Sequence, residues 1–236
     1  IGGLARLAQA PVTGARVRLS RHGDPAVERP VIAQANLIVD GRPIRAQVEG
    51  LTAREAVDRL EDRLRHRLEH TARHLEGGRG SASAADPREW RRGSEPTRRR
   101  RFFTRPVDER RVIRRKSFSV ARCTVDEAVA EMNLLDYDFH LFTEKGTGVT
   151  GVLYRSPTGY RLALVAPDLA DLLSPFESPV TLSEQPTPCL TLDAAIDRLG
   201  LLDLPFVFFI AAAEGRACVL YRRYDGHYGM ITPAAS

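Results

Sequence analysis

Residues 136–160, DYDFHLFTEKGTGVTGVLYRSPTGY, decide the fold, because the stretch recurs 67 residues later as residues 203–228, DLPFVFFIAAAEGRACVLYRRYDGHY. One offset holds from Thr124 against Thr191 onward. Leu134, Leu135 and Asp136 answer Leu201, Leu202 and Asp203, Phe139 and Phe142 answer Phe206 and Phe209, and residues 152–155 answer 219–222. A chance match does not keep register through helix, strand and turn. Two copies are too few for a stacked solenoid, so they are expected side by side, each packed on the other as an internal pseudo-dimer.

Each copy reads as a strand, a helix and a three-strand meander, and the two occupy residues 112–170 and 178–236. In the first, 112–120 is the strand and 124–135 the helix, opened by the capping box Thr124 and Glu127. The second starts at Val180 and contains FVFFIAA (206–212), apolar on both faces, so both faces need cover. Phe139, Phe142, Tyr154, Phe206, Phe208, Tyr221 and Tyr228 are the expected pairing surface. His140 becomes Val207 in the second copy, which argues against a general-base role for it.

Residues 1–76 read as a separate domain of helix, three strands and helix. Residues 1–10 have the pattern of a helix end, and strands follow at 15–20, 31–39 and 43–49. The last two are joined by Asp40-Gly41, a pair suited to the positive φ of a tight hairpin. Alternation puts Ala15, Val17, Leu19, Ala33, Ala35, Leu37, Ile44, Ala46 and Val48 under the helices. It leaves Arg16, Arg18, Gln34, Asn36, Arg45 and Gln47 on the open face, a polar surface that is either merely solvated or suited to RNA.

The helix at 53–76 opens with Thr52 and Glu55 and stops at Gly77-Gly78. At about 100° per residue it has three faces. Val57, Leu60, Leu64, Leu68 and Leu75 form the packing side, and Asp58, Glu61, Asp62, Glu69 and Glu76 an acidic side. Arg59, Arg63, His66, Arg67, His70, Arg73 and His74 share the third. A solvated helix laced with ion pairs interleaves its signs; a segregated basic stripe is the footprint of a polyanion partner. The three histidines lack a carboxylate or cysteine in the same stripe to complete a metal site, and no metal or other cofactor is expected.

Residues 77–111 are rich in Gly, Ser, Pro and Arg and have no periodicity, as in a flexible linker. Arg98 to Arg101 with Trp90, Phe102 and Phe103 would either stack on RNA or dock on the tail. The net charge of +5 over 236 residues is unevenly spread: the first 111 residues carry +9 and the remainder −4. Phe206 to Ala213 is the longest apolar run, far short of the ~20 residues of a membrane span. Three cysteines without close spacing suggest reduced thiols in a cytoplasmic protein. The first residue is Ile1, so the N-terminus looks cut back.

The segment RRKSFSVARCTVDEAVAEMNLLDYDFHLFTEKGTGVTGVLYR (114–155), with YRRYDGHYGMITP (221–233), resembles the C-terminal domain of long-form ribosome hibernation promoting factors. The matching signatures are the helix after TVDEA, the D-F-x-x-F strand at Asp138, Phe139 and Phe142, and Y-R-R-x-D-G-x-Y-G-x-I from Tyr221 to Ile231. The first 76 residues are similar to the family's N-terminal β-α-β-β-β-α domain, with the first strand absent. The resemblance implies an α+β, non-enzymatic, translation-silencing factor. Its partner would be the small ribosomal subunit and its rRNA, with the mRNA and tRNA sites blocked, and no membrane or small-molecule substrate involved. It assigns rRNA contact to Arg59, Arg63 and Arg67 first, and to Arg16, Arg18 and Arg45 on the sheet. Ordinary long forms carry one tail domain, which pairs with that of a second copy and joins two ribosomes. Two tail units in one chain would pair with each other and idle single ribosomes. The rival readings are a ribosome-dimerising factor, a double-stranded RNA-binding protein, whose last helix would begin basic rather than with Glu55 and Asp58, an enzyme, and a purely self-associating protein.

Overall fold

The computed structural model describes residues 11–23, 27–77, 105–118, 122–156, 159–223 and 225–233; of residues 70–77, 107 and 118 the backbone alone is described. The expected N-terminal helix end and the aromatic and arginine run of the linker lie outside these. The described chain is α+β and falls into two compact units, the first holding the residues up to 77 together with Glu131–Tyr137, the second holding the rest.

In the first unit, β1 (Val12–Arg21), β2 (Val31–Val39) and β3 (Arg42–Gly50) form an antiparallel sheet in that order. The turn is the one Asp40-Gly41 specifies, with φ of 49° and 73°. Its register aligns Leu37 with Ile44, Ala35 with Ala46 and Ala33 with Val48, and pairs Leu37 with Ala15, Ala35 with Val17 and Ala33 with Leu19. Helix α1 (Ala53–Gly77) buries Ala56, Leu60, Leu64 and Leu68 on the β2 and β3 part of that face. Its cover stops short of β1, where Ala15, Val17 and Leu19, all expected under the helices, are exposed, the last two at 37% and 49%. Val57 also departs from the expected packing side, at 41% exposure; Ala56 occupies the seam instead.

The second unit contains two five-stranded sheets, and they exchange strands. The first copy supplies β5 (Arg122–Cys123), α2 (Val125–Leu134), β6 (Phe139–Glu144), β7 (Thr150–Ser156) and β8 (Gly159–Leu164). The second supplies β10 (Cys189–Leu190), α3 (Leu192–Leu201), β11 (Phe206–Ala211), β12 (Arg216–Arg222) and β13 (Tyr228–Pro233). The strand expected to open the first copy, β4 (Val112–Phe118), lies parallel to β13 of the second. The strand opening the second, β9 (Val180–Leu182), lies parallel to β8 of the first. Each closing strand thus finds its outer partner in the other copy, which alternation could not foretell because it fixes a strand's faces and not its neighbour.

The inner faces of the two sheets share a core of Leu141, Val152, Phe208, Ala217 and Val219, with Phe139, Tyr154, Phe206 and Ile231 against it. Phe139 packs at a tilt of 34° on Phe206 with ring centroids 4.8 Å apart and lies 5.7 Å from Tyr221, while Tyr154 meets Phe206 edge-on at 5.4 Å. A Cβ at Gly229 would overlap the Tyr221 ring, so glycine there leaves space for this aromatic cluster. The outer face of the second sheet packs Val207, Phe209, Ala211, Cys218, Leu220, Tyr228 and Met230 on Ala195 and Leu199 of α3. FVFFIA is therefore apolar throughout because one set of side chains meets the other copy and the alternate set meets its own helix.

Two of the residues expected in the pairing surface lie elsewhere. Tyr228 belongs to the core under α3. Phe142, three residues on from Phe139 and so on the opposite face of β6, is fully buried and stacks on His140 at 6.2 Å.

Candidate RNA-binding face

Helix α1 begins at a cap built from its own sequence: the Glu55 amide donates to Thr52 Oγ1 at 3.1 Å, and the Leu51 amide to Glu55 Oε2 at 2.8 Å. With Leu60, Leu64 and Leu68 buried, helical spacing turns Arg59, Arg63 and Arg67 onto one side. Arg59 pairs with Glu55 at 3.2 Å and donates to the Glu49 carbonyl oxygen at 3.2 Å. Arg63 and Arg67 both donate to Asp136 Oδ1, at 2.8 and 2.7 Å, and the Gln47 amide donates to Oδ2 at 3.0 Å. Beside them Arg45 donates to Gln47 Oε1 at 3.0 Å and lies 5.8 Å from the centre of the Tyr137 ring.

Asp136 is 5% exposed and has a φ of 51°. Burial pushes its carboxyl up, but the charges of Arg67 and Arg63 and the hydrogen bonds from Arg63 and the Gln47 amide outweigh it, holding the group below its ordinary value. The aspartate is ionised at neutral pH and is an acceptor for all three donors. In the sequence Asp136 belongs to the repeat, and no local pattern marks its place beside these arginines. The available signal was the pair Asp136 and Asp203, the only two aspartates that follow a Leu-Leu in matching positions of the copies.

The other sequence-predicted residues separate into two groups. Across the open sheet face, register lines up Arg16, Asn36 and Arg45 in one row and Arg18, Gln34 and Gln47 in the next, and the side chains of Arg16 and Arg18 are exposed. On α1, His66 is exposed, with Glu69 at 3.9 Å. The side chains of His70, Arg73 and His74 lie outside the described residues. Among the described residues no group of three or more His, Cys, Asp or Glu side chains is placed to hold a metal ion. No helix among them is long and apolar enough to cross a membrane.

Chemically, the unit offers planar guanidinium forks and amide donors in rows spaced by one sheet and one helix. That suits phosphate groups, which accept charge-assisted hydrogen bonds from arginine in bidentate fashion.

The profile of the family described as Sigma 54 modulation/S30EA ribosomal protein C terminus matches the chain twice, at residues 107–162 and 183–230. Two relatives from two strains of Mycobacterium tuberculosis, both named Dormancy associated translation inhibitor, are each 41% identical over 235 residues, covering 96% of this chain and 79% of theirs. Both matched regions fall on the strand-exchanged copies, and the relatives' similarity runs on through the arginine-bearing first unit. The chain belongs to the family of long-form ribosome hibernation promoting factors, with the family's C-terminal module present twice in one polypeptide.

Proposed function

We propose that this protein inhibits translation by binding the small ribosomal subunit in its decoding region and holding single ribosomes idle in stress or dormancy. The observation that carries the reading is the first unit's two cationic surfaces, the Arg16, Arg18 and Arg45 sheet face and the Arg59, Arg63 and Arg67 helix face, in a chain of this family. Residues 1–76 are the ribosome-binding domain, 77–111 a tether, and 112–170 and 178–236 the tail copies. Inhibition is steric and electrostatic: arginines neutralise rRNA phosphates and release counterions, and the bound domain occupies the paths of mRNA and tRNA. No step of bond making or breaking is part of it. The names of the two relatives support the inhibitory role, and the shared core and exchanged strands support tails that pair within one molecule.

The test is cell-free translation on purified bacterial ribosomes. Protein added at one equivalent per ribosome is expected to suppress synthesis, and the triple variant R16Q/R18Q/R45Q to need about tenfold more or higher, as the loss of several phosphate contacts requires. Full synthesis in the presence of excess wild-type protein overturns the proposal.

A further inference from the structure

Asp136 gives the arginine pair an anion already in place. Two guanidinium groups from one side of α1 and one backbone amide from the outer strand β3 converge on a single carboxylate, at 2.7–3.0 Å. This donor set is the one an RNA phosphate uses, since carboxylate and phosphate oxygens accept the same charge-assisted hydrogen bonds. We infer that Asp136 is a displaceable occupant: it holds Arg63 and Arg67 while the protein is free of RNA, and a backbone phosphate takes its place on binding. The inference rests on the reading that this arginine face meets rRNA.

The internal repeat separates this contact from any need of the fold. Asp203 keeps the same turn and nearly the same backbone, with φ 48° against 51° for Asp136. Its carboxylate takes Arg222 of its own copy at 2.6 Å and stays 64% exposed. Leu201, in front of it, is 85% exposed, whereas the matching Leu134 packs on the core of the first unit. The turn therefore forms without a two-arginine fork. What the first copy adds is an apolar anchor, Leu134, and a carboxylate that reaches the arginine pair.

The energetics allow exchange. A carboxylate taken out of water recovers its desolvation only through its partners, and released into solvent it is hydrated again. The arginines meanwhile gain a phosphate with several acceptor oxygens. Asp136 then sets the affinity of the protein: phosphates of a continuous RNA surface displace it, whereas isolated anions compete poorly.

The experiment compares the full-length protein with D136N and R63Q/R67Q for binding to purified small ribosomal subunits, with thermal unfolding of each variant as a check on folding. Asparagine keeps the shape of the side chain and tolerates the positive φ. D136N is expected to bind about tenfold more tightly and R63Q/R67Q at least tenfold more weakly, tenfold corresponding to one charge-assisted contact. In the wild-type chain, hydrogen exchange at the amides of Asp136 and Tyr137, which close the turn that carries the displaced carboxylate, is expected to speed up several-fold when the subunit binds. Weaker binding by R63Q/R67Q, with D136N no tighter than wild type and exchange at the Asp136 turn not accelerated, overturns the displacement and leaves the RNA-binding reading intact. Binding by R63Q/R67Q equal to wild type removes this arginine face from the interface, and the displacement with it.

Discussion

Glu144 has no solvent exposure, yet it lies in a protein whose other described acids, Asp136 apart, are at least partly exposed. Its carboxylate accepts from the Thr147 amide and hydroxyl at 2.7 and 2.8 Å and from the Ser174 amide at 3.2 Å, tying the β6–β7 turn to the segment that leads to β9. Burial pushes its carboxyl up, and the hydrogen bonds from Thr147, Gly146 and Ser174 more than reverse this, bringing it down to about 2. A depressed folded value means that the stabilisation is complete above the ordinary value of 4.5 and drains away as pH falls from there through about 2. E144Q is expected to lose about 1–3 kcal/mol at neutral pH, the range for a buried charge-assisted group, and to have a flatter dependence of stability on pH below 4.5 than wild type. Denaturant unfolding at a series of pH values checks both; a wild-type acid slope in E144Q contradicts the assignment. The counterpart in the second copy is Ala211, so repeat comparison could flag position 144 as different but not reveal that its charge would be enclosed.

At the level of elements, strand exchange makes β4 the outer strand of the sheet whose other members come from the second copy. A chain truncated to begin after residue 121 is expected to expose the edge of β13, with its unpaired amides and carbonyls, and to self-associate in a concentration-dependent way. Analytical ultracentrifugation reads this directly, and a monomeric truncated chain contradicts it. What was legible in the sequence follows the same division. The Asp40-Gly41 turn, the alternation of β2 and β3 and the Leu60, Leu64 and Leu68 seam of α1 are legible because each is a local pattern with its own period, whereas Val57 lies off that seam and the side chain of Leu75 is outside the described residues. The exchange of β4 and β9 is not legible, because partner choice depends on how two copies meet. The same limit hid Asp136. Its arginines were picked out by their place on a helix, but the carboxylate that meets them is 73 positions from Arg63 and 69 from Arg67 in the chain.

For the whole molecule, the proposed function has the two tail copies pair within one chain. The apolar faces of the two sheets cover each other through Phe139, Tyr154, Phe206 and Phe208, and exchanged strands close both sheets. A second chain would have to break two parallel strand pairings and open this core before its tail could enter. One molecule is therefore expected to occupy one ribosome. The most direct measurement is sedimentation of the purified protein with bacterial ribosomes on a sucrose gradient at low and moderate salt. The protein is expected to travel with single whole ribosomes at one copy each, with no peak of ribosome pairs at any ratio; accumulation of ribosome pairs in proportion to added protein would contradict it.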